Sequence, residues 1–259
     1  NTNLGQHFLI DESVLKSILE AANVQTTDAV VEIGPGIGVL TRELVQRAGK
    51  VIAIELDERM LPLLTAFIAN CQLPIALNQS KSSKLKIPYQ NPPHPTFPTE
   101  PVYILGKLPQ SITSPLLRRV FLESHRAPSS LTLLIQREVA EKICSETDAG
   151  MLTILVRLFG APRIVTNVPP SSFIPPPKVD SAVLHIDCFP EPKASPDVIE
   201  EIFKLTKLAF SQKRKMLSNT IGSLPNGMES LAMASIDPKR RPQTLSIEEW
   251  IALAEQVKQ

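Results

Sequence analysis

Cysteine is scarce and scattered in this chain. Cys71, Cys144 and Cys188 are odd in number and share no CxxC spacing, which argues against a disulfide framework and against a zinc site and suits a reducing cytoplasm. Long apolar runs are missing too, nothing approaching the ~18 consecutive apolar residues of a membrane span, so no membrane association is expected. Aromatic residues make up only 5 %, and a surplus of either charge is lacking, the formal net charge being +1. Bulk charge therefore gives no argument for nucleic-acid binding, and the distribution of charge has to decide. The opening stretch NTNLGQHFLIDESV has neither a basic segment followed by an apolar one nor an Arg-rich transit pattern. Its abrupt start reads as that of a trimmed chain. What is plentiful is ordinary globular material, 43 % apolar and 20 % charged over 259 residues, enough for a main domain with a small appendage.

Periodicity predicts an α/β architecture. Residues 13–22, SVLKSILEAA, place Val14 and Ile18 at helical spacing behind Asp11 and Ser13 as possible caps. The stretch DAVVEIGPGIGVLTRELVQRA then reads as a buried strand, a Gly-rich turn and an amphipathic helix, and KVIAIELD as a second apolar strand ending in acids. Strand, helix, strand is the unit of a doubly wound parallel sheet. Further strands are expected in LPIALN, PVYILG, LTLLIQ and SAVLHID, and helices over 58–69, 114–124 and 136–144. NPPHPTFPTEP carries five prolines in eleven residues and reads as an extended surface loop. CFPEPKASP marks a boundary, after which helices are expected over 196–219, 228–234 and 246–258, the last behind the capping box SIEE.

The most specific local signal is VVEIGPGIGVLT. Gly34, Gly36 and Gly38 stand between a strand and a helix, where the absence of Cβ lets a ligand approach the backbone. Glu55 ends the next strand, 21 residues after Gly34, where a doubly wound fold places the carboxylate that accepts from ribose hydroxyls. The glycines follow GxGxG, not the dinucleotide GxGxxG, and Glu32 precedes them. An acid there is awkward beside a pyrophosphate but suits the cationic amino and sulfonium groups of S-adenosylmethionine, which is the cofactor expected.

With these residues in view, the chain resembles the ribosomal small-subunit RNA adenine N6-dimethyltransferases, whose relatives include antibiotic-resistance methylases and mitochondrial transcription factors. The matching stretches are NLGQHFLID, VVEIGPGIGVLT, VIAIELD, ITSPLL, QREVAEKI, SSFIPPPKVDSAV and FSQKRKMLSN, running from residue 3 to about 219 in family order. The resemblance implies a Rossmann-like S-adenosylmethionine-dependent methyltransferase domain over 1–189 and a small all-helical RNA-contacting domain over 190–259. It implies that His7 and Leu9 line the cofactor pocket, that Gly34 and Gly36 pass close to the cofactor and that Glu55 holds its ribose. Phe173 would pack against a flipped adenine. It further implies a monomer acting without metal on small-subunit ribosomal RNA or the pre-ribosomal small subunit.

Two positions depart from the family pattern. The loop after the fourth strand reads Asn-Leu-Pro-Tyr in the family and Lys107, Leu108, Pro109, Gln110 here. The adenine amine is a poor nucleophile because its lone pair is delocalised into the purine. Asn and the carbonyl oxygens beside Pro accept from its N–H groups, and the aromatic ring stacks on the base. An ammonium only donates. At about 5 Å from a sulfonium, with an effective dielectric near 20, Lys107 would repel it by roughly 3 kcal/mol, about two powers of ten in binding. Gln110 removes a stacking surface for which about 1 to 3 kcal/mol per base is typical. In LNQSKSSKLKIP the family has Gly-Asp where Ser80 and Lys81 stand, so the acceptor for the cofactor's adenine amine is replaced by a cation. A one-residue shift puts Ser80 there and restores no carboxylate.

The RNA-facing signal is local. From Phe203 to Met228 there are five basic residues, Lys204, Lys207, Lys213, Arg214 and Lys215, and no acidic one, and Lys239, Arg240 and Arg241 follow. Phe203, Phe210 and Leu217 recur every seven residues as a stripe for the core, leaving the cations to face phosphates. The sequence thus predicts a small-subunit ribosomal RNA adenine dimethyltransferase impaired by Lys81, Lys107 and Gln110. The alternatives are a catalytically inactive RNA-binding or ribosome-assembly factor that kept the fold, and a large-subunit methylase of the resistance type.

Overall fold

In the computed structural model the described residues are 7–55, 57, 59–68, 75–79, 102–108, 110–124, 127–212 and 214–257. Lys81, Pro109, Lys213, the proline-rich stretch 91–101 and the side chain of Gln110 lie outside them.

The chain divides into two compact units, residues 1–140 with 162–188, and residues 141–161 with 189–259. In chain order the first part of the molecule runs β1 (Phe8–Leu9), α1 (Glu12–Ala22), β2 (Ala29–Ile33), α2 (Val39–Arg47), β3 (Lys50–Glu55), α3 (Met60–Ile68) and β4 (Ile75–Gln79). It continues with β5 (Val102–Lys107), α4 (Gln110–Arg118), β6 (Ser130–Gln136), α5 (Arg137–Cys144) and α6 (Met151–Phe159). Then come β7 (Gly160–Val168), β8 (Phe173–Ile174), β9 (Ser181–Cys188), α7 (Pro196–Ser211), α8 (Gly227–Met233) and α9 (Ile247–Val257).

Seven strands form one sheet in the order β4-β3-β2-β5-β6-β9-β7. The pairings β4–β3, β3–β2, β2–β5 and β5–β6 are parallel, and β9 runs antiparallel to β6. Strand β2, AVVEI, is buried at every position, as a strand covered on both faces requires. From β2 the chain moves outward to β3 and β4 and then returns to β5 on the other side of β2. The carboxyl ends of β2 and β5 therefore flank a topological switch point, where a doubly wound sheet opens a crevice for ligands. One face of the sheet packs Val30, Leu105 and Val183 with Val14 and Ile18 of α1 and Leu44 of α2. Asp11 caps α1 by accepting from the Ser13 N–H at 3.0 Å.

In the second unit α7 ends at Ser211, short of the expected 219, and Leu217–Asn219 forms a separate 3-10 turn. The backbone beyond the helix finds other partners: the Leu217 N–H donates to the Arg240 carbonyl at 2.9 Å and the Ser218 N–H to the Pro238 carbonyl at 2.8 Å. The buried stripe of α7 is Val198, Ile199, Ile202, Leu205, Thr206 and Ala209. Phe203 and Phe210 flank it, half-buried, and the Phe210 ring lies 6.3 Å from that of the buried Trp250. The expected helical stripe of Phe203, Phe210 and Leu217 is thereby corrected: the branched aliphatic side chains of Val198, Ile199, Ile202 and Leu205 take the core face of the helix, and Leu217 is buried from beyond its end. The capping box at the start of α9 forms as expected, the Glu249 N–H donating to Ser246 Oγ at 3.1 Å and the Ser246 N–H to Glu249 Oε2 at 2.7 Å. Among the described residues no helix is long and apolar enough to cross a membrane.

Candidate active site

The glycine turn leaves β2 directly. Gly34, Gly36 and Gly38 have φ of 71°, 58° and 94°, the left-handed region that only glycine enters without cost. Neighbours close the remaining space: a Cβ on Gly34 would stand 3.1 Å from the Lys107 carbonyl oxygen, and one on Gly36 3.4 Å from the Phe8 ring. The Gly34 N–H donates to the Ile54 carbonyl at 2.9 Å, tying the turn to β3. Glu55, buried at the end of β3, accepts from the Gly36 N–H at 3.0 Å and from the Asp57 N–H at 2.9 Å. Carboxylate and turn thus brace each other, and a carboxylate with about four lone-pair sites keeps capacity for further donors.

Glu32 sits beneath this turn, 2 % exposed, with Oε2 lacking a hydrogen-bond partner among the described residues. Burial pushes its carboxyl up to about 7, the Thr41 hydroxyl works against that rise, and the Glu55 charge adds to it. Glu32 pairs with Leu105 in register, so Glu32, Leu105 and Lys107 project from the same sheet face.

Lys107 ends β5 at the switch point. Its ammonium lies 5.1 Å from the Phe173 ring centroid, within cation–π range. Burial pulls it down to about 8, and among the described residues no charged neighbour opposes the shift. The next residue, Leu108, is buried, and its N–H donates to the Leu134 carbonyl at 3.0 Å, fixing the loop to β6. Gln110 opens α4.

Segment 172–175 is stitched to the start of the chain. β8 pairs antiparallel with β1, Phe173 opposite Leu9 and Ile174 opposite Phe8. The Ile10 N–H donates to the Ser172 carbonyl at 2.9 Å and Ser172 Oγ to Asp11 Oδ2 at 2.7 Å. His7 Nδ1 lies 2.6 Å from the Pro175 carbonyl oxygen, and Leu9 packs against the core cluster. Phe173 is 2 % exposed, with its ring in that cluster and the Lys107 ammonium near its face. The structure thus gathers His7, Leu9, Gly34, Gly36, Glu55, Lys107, Leu108 and Phe173 in one unit. Phe8, which walls the glycine turn, is a contact that sequence reasoning missed; it lies in the same GQHFL stretch, but its hydrophobicity alone marks it as core.

In the second unit the expected open array of cations is narrower. Lys204 pairs with Glu200 at 3.0 Å and Glu201 at 3.4 Å, partners that raise its pKa. These acids lie one turn upstream of a window that itself contains none. Lys207, Arg214 and Lys215 are exposed. Arg240 is held by Glu249 and Thr244, while Lys239 and Arg241 are exposed.

The sequence pattern of the family described as ribosomal RNA adenine dimethylase matches residues 1–259. The chain belongs to that family. Among its relatives, ribosomal RNA small subunit methyltransferase A of Alkaliphilus metalliredigens is 39 % identical, covering 98 % of this chain and 91 % of the relative. The protein of the same name from Dehalococcoides mccartyi is 42 % identical over 95 % of this chain and 84 % of its own. A dimethyladenosine transferase from Plasmodium falciparum shares the fold with a TM-score of 0.78 at 24 % identity, covering 95 % and 96 % of the two chains. The 23S rRNA methyltransferase ErmE superposes with a TM-score of 0.76 at 25 % identity, covering 97 % of this chain and all of that one. The ribosomal RNA adenine dimethylase family is Rossmann-like and uses S-adenosylmethionine, and that is the enzyme class of this chain. Tested against that cofactor, the three left-handed glycines, the braced Glu55 and the unpartnered Glu32 fit a cationic nucleoside ligand. Lys107 does not.

Proposed function

We propose that this chain carries the adenine N6-dimethyltransferase site of the small ribosomal subunit in assembled but chemically impaired form. One observation carries the reading: the Lys107 ammonium stands at the carboxyl end of β5, drawn into the protein with no counter-charge among the described residues. S-adenosylmethionine, when bound, supplies a methyl group on a sulfonium. Glu55 would accept from its ribose hydroxyls, Gly34 and Gly36 would let it approach the backbone, and His7 and Leu9 would close the pocket. The carbonyl oxygens of Leu108 and Pro109 would accept from the adenine amine. Asn would share that task in the family loop, but a protonated Lys107 offers no lone pair and repels the sulfonium. Gln110 lacks the stacking face, and Lys81 adds a second cation where an acceptor is wanted.

The target is small-subunit ribosomal RNA or the pre-ribosomal small subunit in the cytoplasm, the protein acting as a monomer. The names of the relatives support the ribosomal target. Residues 1–189 hold the chemistry and residues 190–259 the RNA contacts, through Lys207, Arg214 and Lys215 with Lys204 and Lys213 beside them. The second reading, a non-catalytic RNA-binding assembly factor, is favoured by the same Lys107. Calorimetric titration with S-adenosylmethionine, then methyl transfer to small ribosomal subunits, tests both. Weak binding with slow turnover is the expected result. Tight binding with full turnover would refute the impairment, and absence of binding with retained RNA affinity would establish the assembly-factor reading.

A further inference from the structure

Glu32 has no role in the chemistry described above, yet the fold keeps a carboxylate there at a cost. It is 2 % exposed, one of its oxygens has no partner among the described residues, and it lies two residues before the first left-handed glycine of the cofactor turn. The groups facing it are Glu55 from β3, a like charge, and the Thr41 hydroxyl from α2, while the packing from α1 is apolar. Lys107, on the same face two residues beyond the partner Leu105, contributes no compensating charge to it. A buried acid without a cation is held neutral or waits for a cation to arrive. The one cationic species this crevice is built to receive is the sulfonium donor.

We propose that Glu32 is the charge-matching, specificity-determining residue of the crevice: it ionises when S-adenosylmethionine binds, and it separates that cation from neutral S-adenosylhomocysteine. The inference rests on the cofactor reading given above. Its consequence is a proton count. Near pH 6 the Glu32 carboxyl, pushed up to about 7, is largely protonated before the ligand enters, and Lys107, at about 8, is charged; the sulfonium also favours loss of the Lys107 proton, so the share that belongs to Glu32 is the one its substitution removes. At that pH, entry of the sulfonium releases a proton from Glu32, and entry of the neutral thioether does not.

The experiment is calorimetric titration of the full chain at pH 6 with each ligand, in two buffers that differ in protonation enthalpy, followed by the same titrations on Glu32→Gln. Expected is proton release that is larger for S-adenosylmethionine, with a share of about half a proton lost in Glu32→Gln. The variant should weaken S-adenosylmethionine about twofold at pH 6 and about tenfold at pH 8, where Glu32 is already ionised, for a charge pair about 10 Å apart at an effective dielectric of about 20. S-adenosylhomocysteine should shift less than twofold, which also reports that the variant is folded. A proton count for S-adenosylmethionine that is the same in Glu32→Gln as in the unmodified chain overturns the inference alone, since Lys107 then accounts for the whole difference between the ligands. Absence of binding by either ligand overturns the cofactor reading, and the inference with it.

Discussion

Lys107 decides how this crevice treats charge. Because burial holds it near 8, below the ordinary lysine range, its charge is present below that pH and lost as pH rises through it. A bound sulfonium favours the neutral amine, so affinity for S-adenosylmethionine should climb between pH 7 and 9 while that for S-adenosylhomocysteine stays flat. Lys107→Asn should remove this dependence above pH 7 and strengthen S-adenosylmethionine binding by about one to two powers of ten. A pH-independent ratio of the two affinities in the unmodified chain would show that Lys107 does not face the sulfonium. The sequence revealed the misplaced cation, but the depth of its burial and its seat over the Phe173 ring come from tertiary packing that no local pattern encodes.

At the level of elements, the parts that sequence described well are those whose instructions are local. The turn from β2 into α2 is written in its glycines, α1 in its Asp11 cap, and α9 in the reciprocal pair Ser246 and Glu249. Other elements depend on distant partners. β8 is two residues long and exists only because β1 pairs with it. The end of α7 is set by the carbonyl groups of Pro238 and Arg240, and α6 and β7 follow each other without a break that composition could mark. Asp11 belongs to both kinds, capping α1 and accepting from Ser172. Asp11→Ala should therefore lower the denaturant midpoint of unfolding, and an unchanged midpoint would exclude the tie to Ser172 as a stabilising one. In the β6–β9 pair, buried His185 lies 2.8 Å from Thr132 Oγ1 and 3.0 Å from Asp187 Oδ1. Burial holds His185 below the ordinary imidazole range, with Asp187 opposing in part. Its contribution to stability is full above the free imidazole value and is lost as pH falls through the lowered one. Thermal unfolding should therefore fall on acidification from pH 7 to 5 by more in the unmodified chain than in His185→Gln.

For the molecule as a whole, the near-zero net charge hides a local gathering of exposed cations. Exposed Lys207, Arg214 and Lys215 lie in the second unit, and each phosphate contact they make should contribute about 0.7 to 0.9 to the slope of log affinity against log salt. Replacing all three by Ala should lower that slope by about two to three and leave S-adenosylhomocysteine binding intact; an unchanged slope would place the RNA contact elsewhere. Lys204, already paired with Glu200 and Glu201, should matter least of the exposed cations on α7. The central claim is that an assembled site is disabled by a few side chains in its loops. It is tested most directly by measuring methyl transfer to small ribosomal subunits before and after the combined change Lys81→Asp, Lys107→Asn and Gln110→Tyr. A clear gain in transfer by the altered chain is the predicted result. Equal transfer by the two chains, whether high or absent, would contradict it.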